Sequence, residues 1–126
     1  MREEDFFPRW SPPPTKKHRK RPEAQVQKDI IQVLLAFGAI LAVTDAGILN
    51  RLGLNMICGI PAGWPDLTVC LPGGRFLGVE CKAPGGRQSP DQLAFQRRIE
   101  NSGGAYILAS SVAEFQIKFR LVLDKV

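Results

Sequence analysis

Pro65-Asp66 is followed fourteen positions later by Glu80-Cys81-Lys82, and the residues between are apolar and interrupted by a turn. Two acids and a lysine that converge suit one kind of chemistry. Carboxylates brought together repel unless a cation or a proton lies between them. Hard oxygen donors suit Mg²⁺, which is commonly held by one or two carboxylates together with phosphate oxygens of a substrate. A lysine beside such a pair could orient an attacking water or help deprotonate it, and the main-chain carbonyl of Cys81 offers a further ligand. Singly, each residue has a plainer reading: Asp66 as a turn acid, and Glu80 with Lys82 as an exposed ion pair worth less than about 1 kcal/mol.

The elements that must bring them together are legible. Leu67, Val69 and Leu71 alternate with Thr68 and Cys70, Pro72-Gly73-Gly74 supplies a turn, and Phe76-Leu77-Gly78-Val79 runs back. This predicts a two-stranded antiparallel hairpin. Asp66 at the start of one strand and Glu80 near the end of the other then meet at the same end of the sheet. Side chains alternate at period two, so Glu80 and Lys82 share a face and Cys81 points the other way.

Upstream, Pro22 suits the first turn of a helix in which Val26, Ile30, Val33, Leu34 and Phe37 recur at helical spacing until Gly38 stops it. Residues 39–44 read as a strand and Asp45-Ala46-Gly47 as a break. Residues 48–56 stay open between a short helix, on the spacing of Ile48, Leu49, Leu52 and Met56, and a glycine-weakened loop. Gly59, Pro61, Ala62 and Gly63 form a small-residue loop into Asp66, which either admits a nucleic-acid backbone closely or merely turns the chain.

Downstream, Ser89-Pro90-Asp91-Gln92 has the form of a capping box, which alone explains Ser89, Pro90 and Gln92 structurally. Leu93, Phe95, Gln96 and Ile99 continue that helix to Gly103-Gly104, and its Arg97-Arg98 pair either touches DNA or lies solvated. Residues 106–109 read as a strand. Ser111 with Glu114 repeats the capping pattern before a last helix carrying Phe115, Phe119, Val122 and Leu123. The order helix, strand, strand, strand, helix, strand, helix makes an α/β domain, a central mixed sheet flanked by helices.

A chain of 126 residues, 44% hydrophobic, can bury one core and little more. Cys58, Cys70 and Cys81 are an odd number without CxxC spacing, so neither a disulfide framework nor a zinc site is indicated. Cys70 and Cys81 read as small strand hydrophobes. No run approaches the roughly 18 apolar residues of a membrane span, and the polar N-terminus has no signal-peptide pattern. The net charge of +5 is uneven, with seven basic and three acidic side chains in residues 1–21. That proline-interrupted segment includes Lys16, Lys17, Arg19, Lys20 and Arg21, which either neutralise phosphates or form a solvated leader; its aromatics could pack on a partner subunit. His18, the one histidine, lies within it and is not assigned to catalysis.

The Pro65-Asp66…Glu80-Cys81-Lys82 pattern resembles the PD-(D/E)XK nuclease superfamily. Ala62-Gly63-Trp64-Pro65-Asp66-Leu67 and Lys82-Ala83-Pro84-Gly85-Gly86-Arg87-Gln88-Ser89-Pro90-Asp91-Gln92 look like its virus-type replication-repair nuclease (VRR-NUC) subgroup, the likeness running over residues 22–115. The resemblance implies a restriction-endonuclease-like core in residues 22–126 behind the basic tail 1–21. It maps the family's first-helix glutamate on to Glu23, a further ligand directly or through water, and the motif glutamine on to Gln92, which would orient the lysine, the water or the phosphate. It implies metal-dependent phosphodiester hydrolysis with Mg²⁺ or Mn²⁺, one ion or two, on DNA contacted by the basic tail, Arg51 and Arg87. Arg51 and the tail also have the plain reading of surface cations.

VRR-NUC domains that stand alone in phages and bacteria resemble Holliday junction resolvases, so the first expectation is a homodimer cutting four-way junctions, two sites from one small chain. The alternatives are a flap or branched-DNA nuclease and, in other classes, a non-catalytic DNA-binding module or a protein-interaction adaptor. A restriction-type enzyme fits less well, since the length leaves no room for a recognition domain. The expected location is the cytoplasm of a bacterium or phage-infected host cell.

Overall fold

In the computed structural model, which describes residues 22–45 and 60–125, helix α1 runs Pro22–Phe37. Ile30 and Leu34, one turn apart, are fully buried, with Val26, Ile31 and Val33 packed around the same core, the spacing of a single helical face. Gly38 then takes φ 94°, and the Gly38 and Ala39 N–H groups donate to the Leu35 and Leu34 carbonyls, both at 3.0 Å. A left-handed glycine that satisfies the last carbonyls ends the helix and sends the chain into β1, Ile40–Val43.

Strands β2, Leu67–Cys70, and β3, Phe76–Cys81, form the expected hairpin. Its corner is Pro72-Gly73: the Gly74 N–H donates to the Leu71 carbonyl at 2.8 Å, and Gly73 has φ 94°, the positive φ that a type II turn requires after its proline. Helix α2, Pro90–Asn101, strand β4, Ala105–Ala109, and helix α3, Val112–Asp124, complete the described chain. The sheet order is β1-β2-β3-β4, antiparallel except for the parallel β3/β4 pair. That parallel pairing needs a crossover, which α2 supplies.

Alternation sorts the two faces of the sheet. Leu67, Val69, Leu77, Val79, Cys81, Ala105, Ile107 and Ala109 point to the core shared with Ile30 and Leu34 of α1 and with Phe115 and Phe119 of α3. Phe119 is the joint between the helices, its ring 5.2 Å from Phe115 and 5.1 Å from Phe37. The opposite face takes α2, whose Ile99 is buried. Arg75, just past the hairpin turn, donates to the Val122 and Lys125 carbonyls at 2.8 and 2.9 Å and so caps the end of α3.

Three expectations change. Cys70 is exposed, not a packed hydrophobe, since it lies with Thr68 on the face opposite the core; Cys81 is buried as expected. β1 is shorter than residues 39–44, since Ala39 is spent on capping α1. The second capping box is not reciprocal: Ser111 accepts from the Glu114 N–H at 3.1 Å, but the Glu114 carboxylate takes the Ser110 N–H at 2.8 Å. Residues 48–56 and the basic tail lie outside the described residues.

Phe115 is fully buried, so Phe115→Ala is expected to lower the unfolding free energy by about 3–5 kcal/mol in a urea titration with unchanged m. A loss below about 1 kcal/mol would mean that the α3 contact is not what holds the core.

Candidate active site

The hairpin register pairs Leu67 with Val79, and one step further sets Asp66 opposite Glu80. Asp66 Oδ2 accepts the Cys81 main-chain N–H at 2.8 Å, which fixes that carboxylate against the end of β3. Glu80 faces the α2 side and is only 2% exposed. Its Oε1 receives the Gln92 amide at 2.9 Å and has Lys82 Nζ at 3.6 Å, while its Oε2 is buried with no hydrogen-bond partner among the described residues. The exposed surface ion pair is thereby excluded for Glu80.

Gln92 makes the capping box and also faces the hairpin, where its side chain meets Glu80 and not the lysine. Its side-chain oxygen takes the Ser89 N–H at 2.8 Å while Ser89 Oγ takes the Gln92 N–H at 3.2 Å, a full capping box; its side-chain nitrogen is what reaches Glu80. Because the cap sets where α2 begins, it also sets where that amide lies.

Asp66 is positioned by its neighbours. Trp64 Nε1 donates to Thr68 Oγ1 at 2.7 Å, Thr44 Oγ1 donates to the Pro65 carbonyl at 2.7 Å, and the two threonine hydroxyls are 3.0 Å apart. A hydroxyl has one proton. Thr44 spends its own on Pro65, so Thr68 is the donor between the two, and the run Trp64, Thr68, Thr44, Pro65 closes around Asp66. The Thr44 N–H adds a bond to the Asp66 carbonyl at 2.7 Å.

Two glycines permit the close packing. A Cβ on Gly78 would come within 2.8 Å of Pro65 Cγ, and one on Gly63, which has φ 88°, within 2.5 Å of the Asp91 main chain. Pro65 therefore lies directly on β3, and Gly63 against the first turn of α2. Trp64 wedges between Phe76 and Phe95, with ring centroids at 6.2 and 5.6 Å.

The electrostatics follow from crowding acids out of water. Burial pushes both carboxyls above their ordinary range. For Asp66 the Cys81 N–H works against that rise and the Asp45 carboxylate adds to it; for Glu80 the Asp66 charge adds to it and Lys82 opposes it. In the metal-free protein the pair thus favours holding a proton. Burial likewise pushes the Cys81 thiol up, reinforced by Asp66 and Glu80, so only its main chain offers a donor here. Asp45 was missed in the sequence, where it read as part of a chain break. The signal was an acid just past β1: the register Val43 to Leu67, carried on, sets it across from Pro65.

Glu23 is brought to the same end of the sheet, but its Oε1 accepts the Ala83 N–H at 3.2 Å. Among the described residues no three His, Cys, Asp or Glu side chains form a group able to hold a metal. The oxygens that could hold a metal there are the Asp66 and Glu80 carboxylates, with the Cys81 carbonyl next to them along β3. Such a set suits a hard divalent cation, because Glu80 Oε2 is a buried carboxylate oxygen without a hydrogen-bond partner among the described residues, and such oxygens are costly unless a cation or donor meets them. Arg87 is exposed in the β3–α2 loop, and Arg97 and Arg98 are exposed on α2, Arg98 lying over the Phe95 ring at 5.1 Å. Lys16, Lys17, Arg19, Lys20, Arg21 and Arg51 lie outside the described residues. No helix among the described residues is long and apolar enough to cross a membrane.

Comparisons with known proteins point one way. A family model described as the VRR-NUC domain matches residues 21–113. A solved structure titled "VRR_NUC domain" superposes with a TM-score of 0.58 at 23% identity, over 76% of this chain and 92% of that one, a likeness of fold. "Putative nuclease p44" of Acyrthosiphon pisum secondary endosymbiont phage 1 is 43% identical over 49 residues, 39% of this chain and 53% of that protein. The match thus spans about half the length of that relative.

Two outcomes are expected. An acid whose native pKa is raised binds more protons folded than unfolded, so its stabilising contribution is full below the unfolded value of about 4 and is lost as pH rises towards the raised native value. The melting temperature of metal-free protein should therefore fall between pH 5 and pH 8, and Glu80→Gln should flatten that slope; equal slopes in both proteins would contradict it. Gly63→Ala should cost about 1–3 kcal/mol through overpacking against Asp91, measured by thermal melting, and an unchanged melt would show that the loop gives way freely.

Proposed function

The chain belongs to the VRR-NUC domain family, and on that premise we propose that it is a metal-dependent DNA endonuclease that hydrolyses phosphodiester bonds in branched DNA, four-way junctions first, as a homodimer. One observation carries the reading: the buried Glu80, opposite Asp66, keeps its Oε2 without a hydrogen-bond partner among the described residues, while Lys82 stands 3.6 Å from its Oε1. The name of the phage relative supports the coarser statement that the chain is a nuclease.

Asp66, Glu80 and the Cys81 carbonyl would hold Mg²⁺ or Mn²⁺, and Glu23, which meets the Ala83 N–H, would join them directly or through water. Such an ion, when bound, lowers the pKa of water and offsets charge developing on phosphate oxygens. The remaining work falls to the protein. Gln92, fixed by its cap, keeps Glu80 Oε1 turned into the site. Lys82, drawn to that same oxygen, presents an ammonium that can hold the attacking water and stabilise negative charge as the P–O bond breaks. The threonine and tryptophan hydrogen bonds keep Asp66 opposite Glu80 throughout. Two copies related by a two-fold axis would place two such sites on a four-way junction. Exposed Arg87, Arg97 and Arg98 stand on the loop and helix next to the site, where phosphates would approach.

The test is cleavage of labelled four-way junction, flap, single-stranded and linear duplex DNA with Mg²⁺, Mn²⁺ or EDTA. Paired symmetric nicks in the junction are expected, lost in EDTA and lowered on the order of a hundredfold or more by Asp66→Ala, Glu80→Ala or Lys82→Ala. Cutting confined to flaps would move the substrate to other branched DNA. Metal-independent binding without any cutting would make this a DNA-binding module, and full activity in any one variant would remove that residue from the site.

A further inference from the structure

Lys82 and Gln92 stand at the two ends of the loop joining β3 to α2, yet both converge on one atom, Glu80 Oε1. The loop itself folds back on Lys82: the Gly86 N–H donates to the Ala83 carbonyl at 2.8 Å, and a Cβ on Gly86 would lie 3.3 Å from Lys82 Cβ. What pins its far end is Gln88. An amide nitrogen carries two protons, and Gln88 Nε2 spends both, one on Gln96 Oε1 at 2.9 Å and one on Tyr106 Oη at 3.1 Å. Gln96 stands in α2, the helix that carries Gln92 in its first turn, and Tyr106 belongs to β4, paired with Gly78 two residues before Glu80. One side chain thus ties loop, helix and sheet together beneath the two carboxylates.

The tie is built to last. Tyr106 is 9% exposed, and a phenol so placed needs a polar partner. Burial pushes its ionisation up, and the charges of Glu80 and Asp66 push it the same way although the Gln88 bond opposes them, so it stays neutral. Among the described residues the three side chains bond to one another, not to the carboxylates. Their effect on the site must pass through the loop and through α2.

We infer that Gln88, Gln96 and Tyr106 form a positioning clamp that sets Lys82 and Gln92 on Glu80 Oε1, an inference that rests on the hydrolytic reading above. Tyr106→Phe removes one acceptor and keeps the ring, and Gln88→Ala removes the shared amide. Each is expected to lower kcat on the order of tenfold with KM for junction DNA within about twofold, and the double variant should match a single one, because both break one unit. Wild-type kcat in both variants would overturn the clamp, as would multiplicative losses. A second measurement does not need activity: amide hydrogen exchange in residues 83–92 should quicken in both variants while α1 and α3 stay protected. Unchanged exchange there overturns the clamp. Quickened exchange in a protein whose wild type cuts no DNA supports the clamp and leaves the hydrolytic reading alone to fall.

Discussion

Two carboxylates held face to face, one of them almost wholly removed from water, form the constraint around which this domain is arranged. An ionised acid in an apolar setting is costly unless it is paired or hydrogen-bonded, and a second acid beside it raises the cost. Each compensating group arrives from a different part of the chain. The Cys81 N–H comes from the strand itself, the Gln92 amide from the first turn of α2, and the Lys82 ammonium from the start of the loop. Compensation therefore requires hairpin, loop and helix together, and among the described residues it leaves one Glu80 oxygen without a hydrogen-bond partner. A fold selected for stability alone would have no reason to keep that oxygen.

The backbone answers a second demand, that of distance. Asp66 can face Glu80 only if Pro65 crosses β3 closely, and the absence of a side chain at Gly78 permits it. Gly63 does the same for the contact with α2, so the loop before Asp66 and the helix bearing Gln92 touch main chain to main chain. The hydroxyl run from Trp64 to Pro65 then removes the remaining freedom. Rigid contacts of this kind hold a pair of repelling groups in place where longer side chains would let them drift apart.

Periodicity and turn chemistry made the scaffold legible. Alternation in residues 67–71, the Pro72-Gly73-Gly74 corner and the register they impose suffice to set Asp66 against Glu80, and the spacing of Ile30 and Leu34 suffices for α1. The family's fold was legible for the same reason, since its motif residues sit at element ends that pattern alone can locate. What escaped was contact between elements distant in sequence. Asp45 read as a break because its neighbour Asp66 is supplied by strand pairing. Gln88, Gln96 and Tyr106 looked like unrelated polar residues on a loop, a helix and a strand. Cys70 read as apolar because exposure depends on how far α2 reaches across its face of the sheet, and the Glu114 carboxylate found Ser110 where local pattern named Ser111.

Gln92 has a consequence for what this sequence can become. Glutamate would preserve the cap but set a further negative charge beside Glu80, asparagine would be one methylene short, and an apolar residue would satisfy neither the Ser89 N–H nor the carboxylate. Helix start and acid partner are vested in a single amide, so an exchange that is neutral for one duty is harmful for the other. Position 92 in this chain is therefore doubly constrained, whereas the solvent-facing positions of α2 answer to only one requirement at a time.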